Sequence, residues 1–342
     1  LYPEQQVAAE KMLYNDIGVL AAATAFGKTV LGAYLIAKKK VNALVLVHNV
    51  EIMNNWIKDL NSFLTINEEL PTYTTPKGRV KKRSSLIGTF SSQKDATTGI
   101  IDIAMITSLG REDNINELVR NYGMVIVDEC HHAAAVTHEN VLRAVTARYI
   151  YGMSATINRG DKQDKKMFMQ LGPIRHRYTA KERAQKQGIG HYIYPRFTRL
   201  VDLNQSEDRN PADYYRLIMQ SELRNMQIVS DTIDCVKRGR TPVVMTKYKE
   251  HAQKLYDMLQ GSADHVFLLQ GGKSLKERAA IREEMAAVRA DESIILVAIG
   301  QYVGEGFNYP RLDTMLLAMP ISFEGNVEQH AGRLNRDYEG KK

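Results

Sequence analysis

Eight residues constrain this chain most: Ala22-Ala23-Thr24-Ala25-Phe26-Gly27-Lys28-Thr29. They have the form small-x-x-x-x-Gly-Lys-Thr. An apolar run from Ile17 to Ala22 leads in, and a helix-compatible run from Val30 to Lys39 leads out. Strand, tight loop and helix in that order make a phosphate-binding loop. Its backbone N–H groups and the helix N-terminus face an anion, and the helix dipole favours negative charge there. In that reading Ala25 and Gly27 shape the loop, Lys28 reaches the β- and γ-phosphates of a nucleotide, and the Thr29 hydroxyl ligates Mg²⁺. Ala22 stands where glycine is usual, and Ala25 and Phe26 where smaller or polar residues are common. The stretch therefore also fits an alanine-rich core strand running into a helix, and a second site must decide.

That second site is Asp128-Glu129, at the end of the apolar run Met124-Val125-Ile126-Val127. An aspartate at a strand end can hold Mg²⁺. A neighbouring glutamate can orient or deprotonate the attacking water. The plainer alternative is a capped strand end with solvated acids, which the phosphate loop a hundred residues upstream disfavours. Cys130, His131, His132 and His138 follow, but without the spacing of a zinc site, so zinc is not expected.

The rest of the chain alternates. Runs of strand length at Ala43–Val47, Ile101–Ile106 and Arg148–Met153 are separated by helical stretches, including Glu51–Leu60, Glu112–Arg120 and His138–Val145. Near-continuous apolar strands between helices imply a parallel α/β sheet, and ligands bind at the carboxyl ends of such strands. Asn67–Thr98 reads as irregular. Within it Lys77-Gly78-Arg79-Val80-Lys81-Lys82-Arg83 carries five basic residues in seven, either a solvated loop or a contact to nucleic-acid phosphates through Lys81, Lys82 and Arg83. Leu203–Pro211 is polar and reads as a linker. Beyond it the alternation resumes: a helix over Tyr214–Lys237, strands at Pro242–Thr246, His265–Leu269, Ser293–Ala298 and Leu312–Ala318, and a closing helix over Gly325–Arg336. On that helix Gln329, Arg333 and Arg336 share a face, and two such arginines can reach a triphosphate bound in a facing domain.

The 342 residues suffice for two domains. A formal charge of +7 fits a polyanionic partner. Two cysteines, Cys130 and Cys235, exclude a disulfide scaffold and suggest a reducing, cytoplasmic or nucleoid-associated setting. No apolar run approaches a membrane span. The chain opens on Leu1 and stops on Gly340-Lys341-Lys342, as a piece of a longer polypeptide with further domains would.

Taken in order, these stretches resemble superfamily 2 helicases and translocases built from two RecA-like domains, over nearly the whole chain. Leu1-Tyr2-Pro3-Glu4-Gln5 resembles the opening motif whose glutamine reads adenine, which points to Gln5. Ala22 to Thr29 resembles motif I. Leu46-Val47-His48-Asn49 with Trp56 resembles motif Ia, and Ile106-Thr107-Ser108-Leu109 motif Ib. Asp128-Glu129-Cys130-His131 has the DECH form of motif II, and Ser154-Ala155-Thr156 that of motif III. Val243 to Thr246 resembles motif IV, Gly304-Glu305-Gly306-Phe307 with Pro310 motif V, and Gln329 to Arg336 is an unbroken Q-x-x-G-R-x-x-R motif VI. The likeness is greatest to the double-strand translocases of repair and restriction systems.

The resemblance implies two tandem RecA-like α/β domains, each a mostly parallel sheet flanked by helices, over residues 1–202 and 203–342, with ATP and Mg²⁺ between them. It assigns Lys28, Asp128, Glu129, Gln329, Arg333 and Arg336 to catalysis. Gln5, Ala25, Gly27, Lys28, Thr29, Gly304 and Glu305 would bind nucleotide, and Thr29 and Asp128 the metal. His131, Ser154 and Thr156 would couple the nucleotide to nucleic acid, which His48, Thr107 and Ser108 would contact. Tyr2, Asn49, Ile299 and Asn308 depart from the family pattern, mostly at nucleic-acid contacts. The partner implied is DNA, with an RNA helicase and an ATP-gated clamp without motor activity as the alternatives.

Overall fold

The computed structural model describes residues 1–75, 77–111, 114–131, 136–155, 164–187, 190, 192–198, 210–272, 275–303, 307, 309–321, 324–334, 336, 338 and 341. Contacts divide the chain into two compact units, Leu1–Gln187 and Gly188–Lys342.

In the first unit the chain runs α1 (Pro3–Tyr14), β1 (Ile17–Ala22), α2 (Lys28–Lys39), β2 (Ala43–Val47), α3 (Val50–Phe63), β3 (Thr72–Thr74), β4 (Val80–Lys82), β5 (Ile87–Ser91), β6 (Lys94–Asp95) and β7 (Ile101–Met105). It continues with β8 (Gly110–Arg111), β9 (Asn114–Ile115), β10 (Met124–Asp128), α4 (Val136–Arg143), β11 (Tyr149–Ser154), α5 (Asp164–Leu171), β12 (Ile174–Tyr178) and α6 (Ala180–Gln187). Among the described residues the main sheet has the order β12-β1-β11-β10-β2-β7-β5-β6. Every pairing in it is parallel except β5 with β6.

β1 and β2 are apolar throughout, and β10 up to Asp128, because both faces of the sheet are covered there. Leu20, Ala22, Val45, Val47 and Ile126 pack under α1, α2 and α3 with Ala8, Met12, Leu31, Leu35, Met53 and Trp56. Their alternate neighbours Val19, Ala21, Leu44, Leu46 and Val125 pack on the opposite face with Val141 and Leu142 of α4 and Met167 and Leu171 of α5. The period-two alternation of a strand thus delivers two cores from one run.

The second unit holds α7 (Pro211–Gln220), α8 (Glu222–Lys237), β13 (Pro242–Thr246), α9 (Lys249–Leu259), β14 (His265–Leu269), α10 (Leu275–Ala287), β15 (Ile294–Ile299), α11 (Gly300–Val303), β16 (Thr314–Leu317) and α12 (Glu324–Leu334). Its sheet, in the order β14-β15-β13-β16, is wholly parallel among the described residues. Val244, Ile295 and Val297 face α8 and α9. Val243, Leu296 and Ala298 face the side of Met285, Val303 and Phe307. The mostly parallel α/β architecture expected from the apolar runs is the one observed.

Three local expectations are corrected. Residues 67–98 are not irregular: β5 joins the main sheet beside β7, and β3 and β4 form a separate antiparallel pair. The β5–β7 edge is locked by Asp102, fully buried, which accepts from the N–H groups of Thr98 and Gly99 and from the Tyr122 hydroxyl. The helix expected over Glu112–Arg120 is instead the strand pair β8–β9 followed by a 3-10 turn at Glu117–Arg120, capped by the Asn116 side chain on Leu118 N–H. Asparagine bonds its own backbone in this way and so favours turns over helix interiors. The single helix expected over Tyr214–Lys237 is broken at Ser221, whose extended backbone ends α7 and starts α8.

Candidate nucleotide site

β1 delivers the chain into the loop Ala23–Gly27 at the carboxyl end of the sheet. Gly27 has φ +85° and caps α2, a conformation that costs glycine nothing. Ala25 also lies in the left-handed region, at φ +66°. The two loop residues that looked out of place now have explanations. Phe26 is buried and its ring lies 5.0 Å from that of Tyr178 on β12, so it anchors the loop from below. The Ala25 carbonyl accepts from the guanidinium of Arg183, which also reaches the Thr24 carbonyl at 3.3 Å. Arg183 rides on α6, whose start is fixed by the Glu182 carboxylate accepting from Thr179 N–H and hydroxyl. Sequence reasoning missed Arg183, since nothing in the spacing of residues 24 and 183 marks the contact.

Gln5, expected to read adenine, is buried on α1. Its Oε1 accepts from Tyr2 N–H at 2.9 Å, and its Nε2 donates to the Phe26 carbonyl at 2.7 Å. The amide therefore joins the first helix to the phosphate loop. A Cβ on Gly27 would lie 2.5 Å from Gln5 Nε2, a second reason for glycine there.

At the end of the central strand β10, Asp128 and Glu129 meet Lys28. Glu129 takes φ +45°, a strained backbone for a side-chain-bearing residue. The turn brings its carboxylate Oε1 to 3.4 Å from Lys28 Nζ. Glu129 Oε2 accepts from Ser154 Oγ at 3.3 Å and lies 3.4 Å from His131 Nδ1, while His131 Nδ1 and Ser154 Oγ share a hydrogen bond of 2.8 Å. Motifs I, II and III thus converge through Lys28, Glu129, His131 and Ser154. Asp128 Oδ1 accepts from Glu129 N–H at 2.9 Å, and its Oδ2 accepts from the indole N–H of Trp56 at 2.8 Å. Burial, and then the adjoining Glu129 carboxylate, push the Asp128 carboxyl above its ordinary range, with Lys28 and the Trp56 N–H opposing. Burial pushes the Asp59 carboxyl of α3 above its ordinary range, with the Lys58 charge and the nearby Thr29 hydroxyl opposing. Cys130 is fully buried in the apolar core, its thiol pushed up by burial.

The remaining candidates fall elsewhere. His48 and Asn49 sit between β2 and α3, where Asn49 caps the helix by accepting from Ile52 N–H at 2.8 Å. Thr107 and Ser108 form a 3-10 turn directly after β7, the strand paired with β2, so both turns lie on one edge of the sheet. Ser108 Oγ accepts from Ser92 N–H. Lys81 and Lys82 are exposed on β4, and Arg83 stacks its guanidinium 4.1 Å from the Tyr73 ring centre. In the second unit, Arg333 lies on α12, buried, and donates to the Phe307 carbonyl at 3.2 Å. Arg336 lies just beyond α12, and its carbonyl accepts from Lys341 Nζ. Thr156, Gly304, Glu305 and the side chain of Gln329 lie outside the described residues. Among the described residues no helix is long and apolar enough to cross a membrane.

Comparison with known proteins adds three findings. Residues 1–159 match the family model described as Type III restriction enzyme, res subunit. The chain is 24% identical over 340 residues to "Probable helicase D10" of Escherichia phage T5, covering 96% of this chain and 66% of that protein. It is 24% identical over 335 residues to "Transcript termination protein A18" of fowlpox virus, covering 93% of this chain and 66% of that one. The chain thus spans just under two thirds of the length of these curated relatives. Among solved structures, a DNA-bound ATP-dependent Type ISP restriction-modification enzyme, LlaBIII, superposes over 100% of this chain and 27% of its own length, with a TM-score of 0.63 at 14% identity. With two mostly parallel α/β units, Lys28 at the end of the loop brought to Glu129, and relatives over almost its full length, the chain is similar to the superfamily 2 helicases and translocases.

Proposed function

We propose that the chain is an ATP-driven nucleic-acid motor, a translocase or helicase, that acts on DNA. The observation that carries this is the convergence of Lys28, Asp128 and Glu129 at the carboxyl ends of β1 and β10, with Ser154 and His131 tied to the same carboxylate. The donor set fits ATP–Mg²⁺. A left-handed glycine and a helix N-terminus receive phosphate. Lys28 supplies a positive charge beside them, and Thr29 and Asp128 offer the hard oxygen ligands that Mg²⁺ requires. When bound, the metal neutralises charge developing on the transferred phosphoryl group. Glu129 is the residue that orients or deprotonates the attacking water. Gln5 holds the loop and contacts adenine, while Gly304 and Glu305 belong to the nucleotide contacts of the second half. Residues 1–202 form the half bearing motifs I to III. Residues 203–342 form the half bearing Gln329, Arg333 and Arg336, the groups that answer to the γ-phosphate.

Nucleic acid would lie along the edge marked by His48, Thr107 and Ser108, held chiefly through phosphates and so in a salt-sensitive way. Thr156, beside Ser154, would report the nucleotide to that edge. Lys81, Lys82 and Arg83 extend the phosphate contacts on the β3–β4 pair. The Type ISP enzyme that superposes on the chain is bound to DNA, which favours DNA. The test is phosphate release without nucleic acid and with single-stranded DNA, duplex DNA or single-stranded RNA, at two salt concentrations, together with triplex displacement on duplex DNA. Duplex-stimulated hydrolysis with displacement is the expected result. Stimulation by RNA alone would make the chain an RNA helicase. Stimulated hydrolysis that displaces nothing would make it a clamp.

A further inference from the structure

Helix α3 does more than cover the sheet. Trp56 is the sole tryptophan of the chain. It is fully buried, yet its one polar atom goes neither to backbone nor to solvent: Nε1–H donates to Asp128 Oδ2 at 2.8 Å. Three residues along the same helix face, the Asp59 carboxylate lies near the Thr29 hydroxyl. Asp128 and Thr29 come from different elements, the end of β10 and the first turn of α2. They share no motif with α3, yet α3 bonds Asp128 and comes close to Thr29. The indole reaches Asp128 by passing over α2 at Gly32, where an added Cβ would lie 2.4 Å from Trp56 Cη2. The helix that carries Lys28 and Thr29 has therefore left a side chain out where the indole crosses.

We propose that Trp56 and Asp59 are positioning residues for the metal-binding pair of the nucleotide site, Asp128 and Thr29, and that α3 sets the distance between these two ligands. The proposal rests on the reading of Thr29 and Asp128 as the Mg²⁺ ligands. Trp56 orients the Asp128 carboxylate by occupying Oδ2, leaving Oδ1, which accepts from the adjoining Glu129 N–H, to serve the metal. The nearby Asp59 carboxylate would draw the Thr29 hydroxyl proton away from the site, so that the oxygen lone pairs face a cation. Outer partners of this kind set ligand orientation, and their loss costs about 10- to 100-fold in metal affinity.

The experiment is Mg²⁺ titration of the full chain saturated with ADP, read by the emission of Trp56 in the wild type and by calorimetry in all variants. The wild type should show an emission change that saturates with Mg²⁺. Trp56→Phe keeps an aromatic ring but loses the N–H, and Asp59→Asn keeps size but loses the charged acceptor. Each should bind ADP without Mg²⁺ within about twofold of wild type, while its Mg²⁺ midpoint rises about tenfold or more. Asp59 is only partly buried, so its variant serves even if Trp56→Phe fails to fold. Wild-type Mg²⁺ midpoints in Asp59→Asn and in folded Trp56→Phe would overturn the positioning role. ADP binding that Lys28→Ala leaves unchanged would overturn the site reading itself, and the proposal with it.

Discussion

Gly32→Ala is the perturbation whose outcome separates the packing described here from general helix behaviour. On propensity alone, alanine in the interior of α2 should stabilise by about 1 kcal/mol over glycine. In this protein the new methyl would sit 2.4 Å from Trp56 Cη2 and 3.0 Å from Cζ3. Ordinary carbon contacts lie near 3.5–4 Å, so the indole must retreat by more than about 1 Å. Overpacking of that kind costs about 1–3 kcal/mol. The same retreat breaks the Trp56–Asp128 hydrogen bond, worth about 1.5–3 kcal/mol because its acceptor is charged. Subtracting the propensity gain leaves a net destabilisation of about 1.5–5 kcal/mol. At about 2–4 °C per kcal/mol for a unit of this size, a central value near 3 kcal/mol lowers Tm by about 6–12 °C. Because Trp56 is the one tryptophan, urea unfolding followed by tryptophan emission reports the first unit alone. An unchanged or raised stability for Gly32→Ala would refute the reasoning, since it would mean the indole is not lodged against α2.

Arg183→Ala removes the guanidinium from the Thr24 and Ala25 carbonyls, so the loop should loosen and KM for ATP should rise about tenfold with kcat changed less; an unaltered KM would remove its role as a loop clip. Charge reversal of Lys81 and Lys82 to Glu should weaken duplex binding and flatten its dependence on log salt by about two phosphate contacts, whereas an unchanged slope would place the β3–β4 pair off the nucleic acid. His251 is buried between the Thr246 hydroxyl and Asn225, and burial followed by the nearby Arg224 charge lowers its pKa to about 4. Its folded value lies below the unfolded one, so the unfolded state takes up the proton first. The stability it permits is complete above pH 6.5 and is lost as pH falls toward about 4. His251→Asn should flatten that slope in the second unit, and a wild-type slope in the variant would exclude His251 as its source.

The α/β class was legible because a sheet covered on both faces demands strands without polar interruption, and Ile17–Ala22, Ala43–Val47 and Met124–Val127 supply them. The strand, loop and helix around Ala22–Thr29 were legible because a loop of this kind carries fixed residue types at fixed local spacing, and Lys28 of that stretch meets Glu129. β5 was not. Ile87-Gly88-Thr89-Phe90-Ser91 lies toward the sheet margin and alternates with polar residues, and its place depends on the distant Asp102–Tyr122 bond. Residues 112–120 carry a helical composition, but Asn116 satisfies Leu118 N–H locally and turns the chain. The contacts of Arg183, Trp56 and Asp59 to the site were equally hidden. Each joins elements that are distant in sequence, and a single arginine, tryptophan or aspartate on a helix carries no local mark of what it will touch. Phe26 shows the reverse case: an odd residue in a loop that the fold turns into an anchor against Tyr178.

The central claim is that Lys28, Asp128 and Glu129 form a working nucleotide-hydrolysing site. The most direct measurement is steady-state ATP turnover on duplex DNA by the wild type, Lys28→Ala and Glu129→Gln, with nucleotide affinity measured in parallel. The account predicts turnover in the wild type and losses of about 100-fold or more in both variants, with affinity lost in Lys28→Ala and kept in Glu129→Gln. Wild-type turnover in either variant would contradict it.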